Sequence, residues 1–418
     1  MHFISPGEGR MDRRSFISGV GAAGLGATAS AKALSLAAAR SAKYQVAAYY
    51  FGNYHVDPRN ERAHGPGWTE WNLVKSATPR FPGHQQPKIP LWGYRDESDP
   101  AVFAQKIDAA ADHGLDAFIF DWYWYNDGPY LERALEKGFL QAANRDRLKF
   151  ALMWANHNWV DIHPAKLTAA PPLQFPGAVT AETFRRITDH CIECYFSQPN
   201  YWLIDGCPYF SIYELMRFVE GMGSRANAAK EIAGFRERVK SAGFPDLHFN
   251  AILWGEQLLP EQTQISDLKP LLQELGIDSI GSYVWIHHTQ FRSFPTVSYD
   301  DIAAQYEQYR AKAAANAGKP YFPNVTVGWD SSPRACQTDT FIQHGYPFTA
   351  VIEGNTPEKF GKYLESAKSF MDSSGNRNKI LTVNSWNEWT EGSYLEPDTE
   401  HRLSYLEQIA RVFGHKSG

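Results

Sequence analysis

The sequence predicts an α/β fold, a (β/α)8 TIM barrel built as a single domain with long βα loops. Three observations predict it. Eight short apolar, β-rich runs alternate with helical patterns in one unbroken order. The turn after the first run reads Tyr50-Phe51-Gly52-Asn53-Tyr54, which lacks the glycines an open doubly wound sheet uses to cradle a pyrophosphate. The chain also exceeds the roughly 250 residues of a plain barrel, and its surplus follows strands, on the face where barrels carry active sites.

The elements read as follows. The first run covers 44–51 (YQVAAYYF); a polar and aromatic insertion precedes a helix near 100–113. The second covers 115–123 (LDAFIFDWY), with a helix near 130–143. The third is 149–155 (KFALMWA), with a helix near 181–196. The fourth is 208–213 (PYFSIY), with a helix near 226–242. The fifth is 248–254 (HFNAILW), with a helix near 266–275. The sixth is 279–285 (SIGSYVW), with a helix near 299–315. The seventh is 322–328 (FPNVTVG), with a helix near 357–373. The eighth is 380–385 (ILTVNS), with a helix near 402–413. Each run is rich in β-branched or aromatic residues, and each helix repeats apolar residues at helical spacing. The longest loops follow strands one and seven. No linker-like stretch divides residues 43–418.

Residues 1–42 stand apart. Arg13-Arg14, Phe16 and the Gly/Ala-rich stretch after them resemble a twin-arginine export signal with a short linker. That signal predicts a periplasmic or secreted product and the twin-arginine machinery as a partner. The stretch is too short and too Gly-rich to be a stable membrane span. The 418-residue chain carries a formal charge of −5. Residues 1–42 hold five basic and two acidic residues, which leaves −8 on the rest. An acidic chain has no electrostatic drive toward nucleic acid.

Four cysteines are present: Cys191, Cys194, Cys207 and Cys336. The first two share one face of a helical pattern, where they read as small buried residues. A Cys194–Cys207 pairing stays open.

Aromatic residues make up 14% of the chain, with 13 Trp and 21 Tyr. Many crowd the strand ends together with amides, carboxylates and imidazoles. A barrel interior is normally filled with branched aliphatics, so this crowding predicts a wet, concave, aromatic site suited to sugars. Candidate sugar contacts are Tyr50, Asp121, Tyr123, Trp124, Trp154, Asn156, His157, Tyr283, Trp285, Trp329, Trp386, Asn387 and Trp389. Glu388 and Glu391 follow strand eight three residues apart. Glycoside cleavage needs such a pair, one carboxyl to protonate the leaving oxygen and one to assist attack. His287-His288 and His157…His163 have no Cys or carboxylate at ligand spacing, so no metal is expected. Residues 43–418 carry neither a P-loop nor a G-x-S-x-G nucleophile element, and no cofactor is expected.

Residues 383–398, VNSWNEWTEGSYLEPD, resemble the signature of the WbsX group, a family similar to glycoside hydrolase family 99, the endo-α-mannosidase clan. Gly67-Trp68-Thr69-Glu70-Trp71, Phe81-Pro82-Gly83-His84-Gln85-Gln86-Pro87, Gly114-Leu115-Asp116-Ala117-Phe118 and Trp154-Ala155-Asn156-His157-Asn158-Trp159 extend the resemblance over about residues 44–410. The resemblance implies a barrel hydrolase that cleaves an α-linked, mannose-like oligosaccharide or polysaccharide with retention. It implies Glu388 as the base that activates the sugar 2-hydroxyl and Glu391 as the acid. His157 stands where the family pattern has Glu. A glycosyltransferase of surface-polysaccharide assembly and a non-catalytic sugar-binding protein are the alternatives.

Overall fold

The computed structural model describes residues 44–254 and 268–414. Arg13-Arg14, the pair read from the sequence as part of an export signal, lies outside the described residues. Tyr44–Gly418 form one compact unit.

The barrel strands are β1 (Gln45–Phe51), β2 (Ala117–Tyr125), β3 (Lys149–Trp154), β4 (Cys207–Ile212), β5 (His248–Ile252), β6 (Ser279–Gly281), β7 and β8 (Ile380–Asn384). β7 has two segments, Tyr321–Phe322 and Asn324–Thr326. Pro323, which has no N–H to give a ladder, parts them. Strands β1 to β6 pair in parallel, each with the next. The first β7 segment pairs with β6 at Ile280↔Tyr321, and the second pairs with β8 at Asn324↔Thr382. β8 returns to β1 at Gln45↔Ile380. The sheet therefore closes into a barrel of eight strands, as the alternating pattern predicts.

Helices cover the outside at most of the expected places, and side-chain caps start several. Asp99 caps Pro100–Asp112, Ser224 caps Arg225–Ser241 and Thr356 caps Pro357–Ser373. The helix expected near 130–143 is instead a π-turn, Ala134–Gly138, and a 3-10 turn, Phe139–Gln141. Gly138 shows why the segment is irregular. A Cβ there would collide with the Glu97 carbonyl oxygen and the Phe103 ring, so this segment lies flush against its neighbour. The helix near 181–196 is regular over Ala181–His190 and finishes as a π-turn, Cys191–Phe196. Cys191 is buried there but Cys194 is exposed, and all four cysteines are free. Cys194 and Cys207 are therefore unpaired, and only one of the two helical cysteines is a core residue.

Strand alternation divides the side chains into two shells. On β2, Phe118 and Phe120 pack outward against Phe139 beneath the helices, while Asp121 and Tyr123 face the cavity. A second aromatic core lies under the loops. It joins Phe51, Tyr54, Trp71, Tyr123, Tyr130, Trp159, Trp389 and Tyr394. Trp389 stacks on Tyr394 at 3.8 Å. Much of the aromatic surplus therefore holds long loops down.

The loops after β1 and β7 are fastened to each other. Asp330 Oδ2 accepts from Gln86 Nε2 at 2.7 Å and lies 2.7 Å from His84 Nε2. Arg80 donates to the carbonyl of Cys336 at 3.2 Å, and Thr78 N to Gln337 Oε1 at 3.0 Å. Among the described residues no helix is long and apolar enough to cross a membrane.

Candidate active site

A cavity opens at the C-terminal end of the barrel. Glu388, Glu391 and Asp121 line it together with Tyr123, His157, Trp159, Tyr213, Tyr283, Trp329, Arg334 and Tyr346.

The backbone around Glu388 is held from behind. Asn387 donates through Nδ2 to Phe51 O at 2.7 Å and to Glu97 Oε1 at 2.8 Å, and its Oδ1 accepts from Phe51 N at 2.8 Å. Trp389 donates through Nε1 to Glu396 Oε2 at 2.9 Å. Buried Lys106 joins these two anchors, reaching Glu97 at 2.7 Å and Glu396 at 3.0 Å. Tyr50 adds a hydroxyl to Glu97 at 2.7 Å. In the N-E-W run, Asn and Trp thus fix the backbone while Glu388 projects into the cavity.

Arg334, from the loop after β7, lies between the carboxylates. Its guanidinium donates to Glu70 Oε1 at 2.8 Å and to Glu391 Oε1 at 2.5 Å, and it reaches Glu388 Oε2 at 3.4 Å. Glu70 is fully buried and also accepts from Asn53 Nδ2 at 2.7 Å and from the Thr390 hydroxyl at 2.5 Å. Burial alone would lift its pKa, but Arg334, His163 and these bonds outweigh it and hold Glu70 below the ordinary value. Glu391 accepts a second bond from the Tyr346 hydroxyl at 2.6 Å.

Burial raises both members of the pair. Glu388 is pushed well above the carboxylate range by desolvation and by the charge of Glu391, against the pull of Arg334. Glu391 is also raised by burial, with Arg334 and Tyr346 opposing. Two buried carboxyls beside one cation titrate as a unit that retains a proton. Glu391 has the shorter bonds from cation and phenol, while Glu388 is the more strongly raised of the two. Asp121 is likewise lifted well above its ordinary value by burial. Its Oδ2 accepts from the Tyr283 hydroxyl at 2.7 Å, while its buried Oδ1 has no partner. His157 and His163 are drawn down to about 4 by burial and are neutral at neutral pH.

The structure brings together Glu388, Glu391, Asp121, Tyr123, His157, Tyr283 and Trp329 around the cavity. Tyr50, Trp124, Trp154, Asn156, Trp285, Trp386, Asn387 and Trp389 are not among its lining residues. Alternation explains several of these. Trp124 follows cavity-facing Tyr123 and packs on His190, 5.0 Å between rings. Trp154 lies between cavity-lining Met153 and Ala155 and packs against Phe184. Tyr50 packs on Phe103, and Trp285 stacks between Tyr299 and Tyr306. Asn156 is spent on the backbone of Glu214, and Trp386 packs on Phe118.

Arg334, Tyr346, Tyr213 and Trp159 are cavity residues that sequence reasoning missed, and Glu70 supports them from behind. Glu70 had a signal, since it lies in the Gly67–Trp71 motif. Arg334 had none, because an arginine in a long loop reads as a surface residue.

The chain matches the family described as glycosyltransferase WbsX over residues 46–409. The uncharacterized protein WxcX from two strains of Xanthomonas campestris pv. campestris is 24% identical over 371 residues, covering 86% of this chain and 48% of that protein. The chain thus spans about half the length of the curated relatives it matches. Among solved structures, the glycoside hydrolase family 99 endo-α-mannosidase of Bacteroides thetaiotaomicron superposes with a TM-score of 0.54 at 16% identity, covering 88% of this chain and 96% of that one. A structure described as a glycoside hydrolase-like protein gives 0.54 at 15% identity, covering 90% and 95%. These likenesses concern the fold, a barrel of the kind derived above. The family match spans nearly every element of that barrel, and the chain belongs to the WbsX family.

Proposed function

We propose that the protein is a glycoside hydrolase that cleaves an α-linked, mannose-like glycan with retention. The observation that carries this reading is the buried pair Glu388 and Glu391, facing an aromatic-walled cavity and bridged by one guanidinium. In the first step Glu388 takes the proton of the sugar 2-hydroxyl. That oxygen attacks the anomeric carbon as the bond to the leaving oxygen breaks, and Glu391 protonates the leaving oxygen. In the second step Glu391 takes a proton from water, which opens the 1,2-anhydro sugar at the anomeric carbon, and Glu388 returns a proton to the 2-oxygen. Two inversions give net retention. The first step needs the proton that the pair shares to be on Glu391.

Electrostatics support hydrolysis over transfer from a nucleotide sugar. Glu391 and Glu70 already offset the charge of Arg334, the cation among the described lining residues. That leaves no positive field to hold a diphosphate.

The test is release of oligosaccharides from a panel of α-mannan and other bacterial and fungal polysaccharides. Glu388→Gln and Glu391→Gln should abolish release while retaining glycan binding. A substrate with an activated aryl leaving group should restore turnover to Glu391→Gln and not to Glu388→Gln; the opposite pattern reverses the roles. Turnover that depends on a nucleotide sugar would replace hydrolysis with transfer. The reading includes export, supported by Arg13-Arg14. Changing both to Lys should retain the protein in the cytoplasm.

A further inference from the structure

We propose that His64, Asp161 and His163 form a zinc site at the mouth of the cavity. His64 is the last residue of the loop helix Pro58–His64, and the other two belong to the loop after β3. One potential ligand atom from each lies within 4.8 Å of the others. A tetrahedral zinc with bonds of about 2.0–2.1 Å holds its ligand atoms roughly 3.4 Å apart, so side-chain closure of an ångström or so completes the set. The sequence offered His163 with no third ligand at recognisable spacing; folding supplies His64 from nearly a hundred residues upstream.

A second observation points to a ligand independently. The His163 side chain is buried, yet its Nδ1 has no hydrogen-bond partner. That nitrogen lies 4.0 Å from Asp161 Oδ1, too far for a bond and near enough for both to reach one ion. The other ring nitrogen, Nε2, faces Glu70 Oε2 at 4.0 Å. Packing limits the freedom of both rings: His64 lies on Trp68 at 4.3 Å and His163 on Trp159 at 5.4 Å.

Two imidazoles and one carboxylate favour zinc over calcium or magnesium, which prefer oxygen donors. Three protein ligands leave a coordination position open. His163 also lines the cavity, so the site lies beside it. Through Glu70 and Arg334 the site also adjoins Glu391.

The test reads metal rather than catalysis, so its result is independent of the proposed hydrolysis. The full chain is stripped with chelator and titrated with zinc chloride by equilibrium dialysis and by thermal melting. One zinc per chain and a higher melting temperature are expected. His64→Ala and Asp161→Asn, both at partly exposed positions, should melt like the stripped wild type. Each should weaken zinc binding by more than the roughly 10–100-fold that outer-shell changes cause, and each should abolish the shift. Absence of zinc binding in the wild type, unchanged binding in either variant, or equal occupancy by calcium or magnesium would overturn the proposal.

Discussion

The Tyr283 hydroxyl lies 3.0 Å from Glu388 Oε1, and the same oxygen lies 2.7 Å from Asp121 Oδ2. A phenol has one proton to donate. Both contacts are hydrogen bonds only when one of the two carboxyls is itself protonated, which agrees with the upward shift of both by burial. Tyr283 therefore ties the protonation of Glu388 to that of Asp121. Tyr283→Phe should fold normally and lose about tenfold to a hundredfold in kcat, the equivalent of one hydrogen bond to a charged group. Steady-state kinetics beside a melting curve checks this; unchanged kcat would remove Tyr283 from the machinery.

Arg334 is the cation that lets Glu70, Glu388 and Glu391 share so small a volume. Arg334→Met leaves Glu70 buried and uncompensated, and should cost about 3–5 kcal/mol in urea unfolding. Arg334→Lys keeps the charge but not the planar fork that reaches several carboxylates. It should fold, with kcat lowered and KM little changed.

The raised pair sets the pH profile of activity. Desolvation lifts both Glu388 and Glu391, so the proton they share is retained above the ordinary carboxylate range. The alkaline limb of kcat/KM should therefore fall well above pH 4.5, and because both carboxyls are raised the acidic limb, where the pair gains a second proton and loses its base, should also lie above that value. A limb at the ordinary carboxylate value would contradict the burial argument.

Glu214 gives a separate, structural pH dependence. Burial lifts its carboxyl to about 7, while its backbone is fixed by Asn156. A raised carboxyl favours the fold while protonated. Its contribution is complete below about pH 4.5, the unfolded value, and is lost as pH rises through about 7. The loss is roughly 3 kcal/mol. Glu214→Gln should match wild-type stability near pH 4 and exceed it at pH 8, as read by melting temperature across pH.

The barrel was legible in the sequence because every strand is a short apolar run and most of the helices keep their period. Glu388 and Glu391 were legible because they are neighbours in one local motif. Their cation was not, since Arg334 acquires its meaning only when two distant loops fold together over Glu70. The aromatic residues were half legible. Composition at the strand ends marks the right end of the barrel, but alternation decides which rings face the cavity. Tyr123 and Trp124 are adjacent in sequence, and only the first reaches it. The irregular segment after β2 was hidden for another reason, because its pattern is apolar at helical spacing while Gly138 must pass under Glu97.

The same division separates anchors from walls in kinetics. Asn387 makes three buried bonds to Phe51 and Glu97 and is not among the cavity-lining residues. Asn387→Ala strands those partners, at about 1–3 kcal/mol for each group left unpaired. It should lower the melting temperature and kcat together while leaving KM near the wild-type value, because the backbone of Glu388 shifts and the sugar contacts do not. Trp329 lines the cavity with its indole tethered to Thr349 at 2.9 Å. Trp329→Ala should raise KM for the glycan more than it lowers kcat. If Asn387→Ala instead raised KM selectively, Asn387 would be a sugar contact after all, and the cavity would have to extend behind the N-E-W run to admit it.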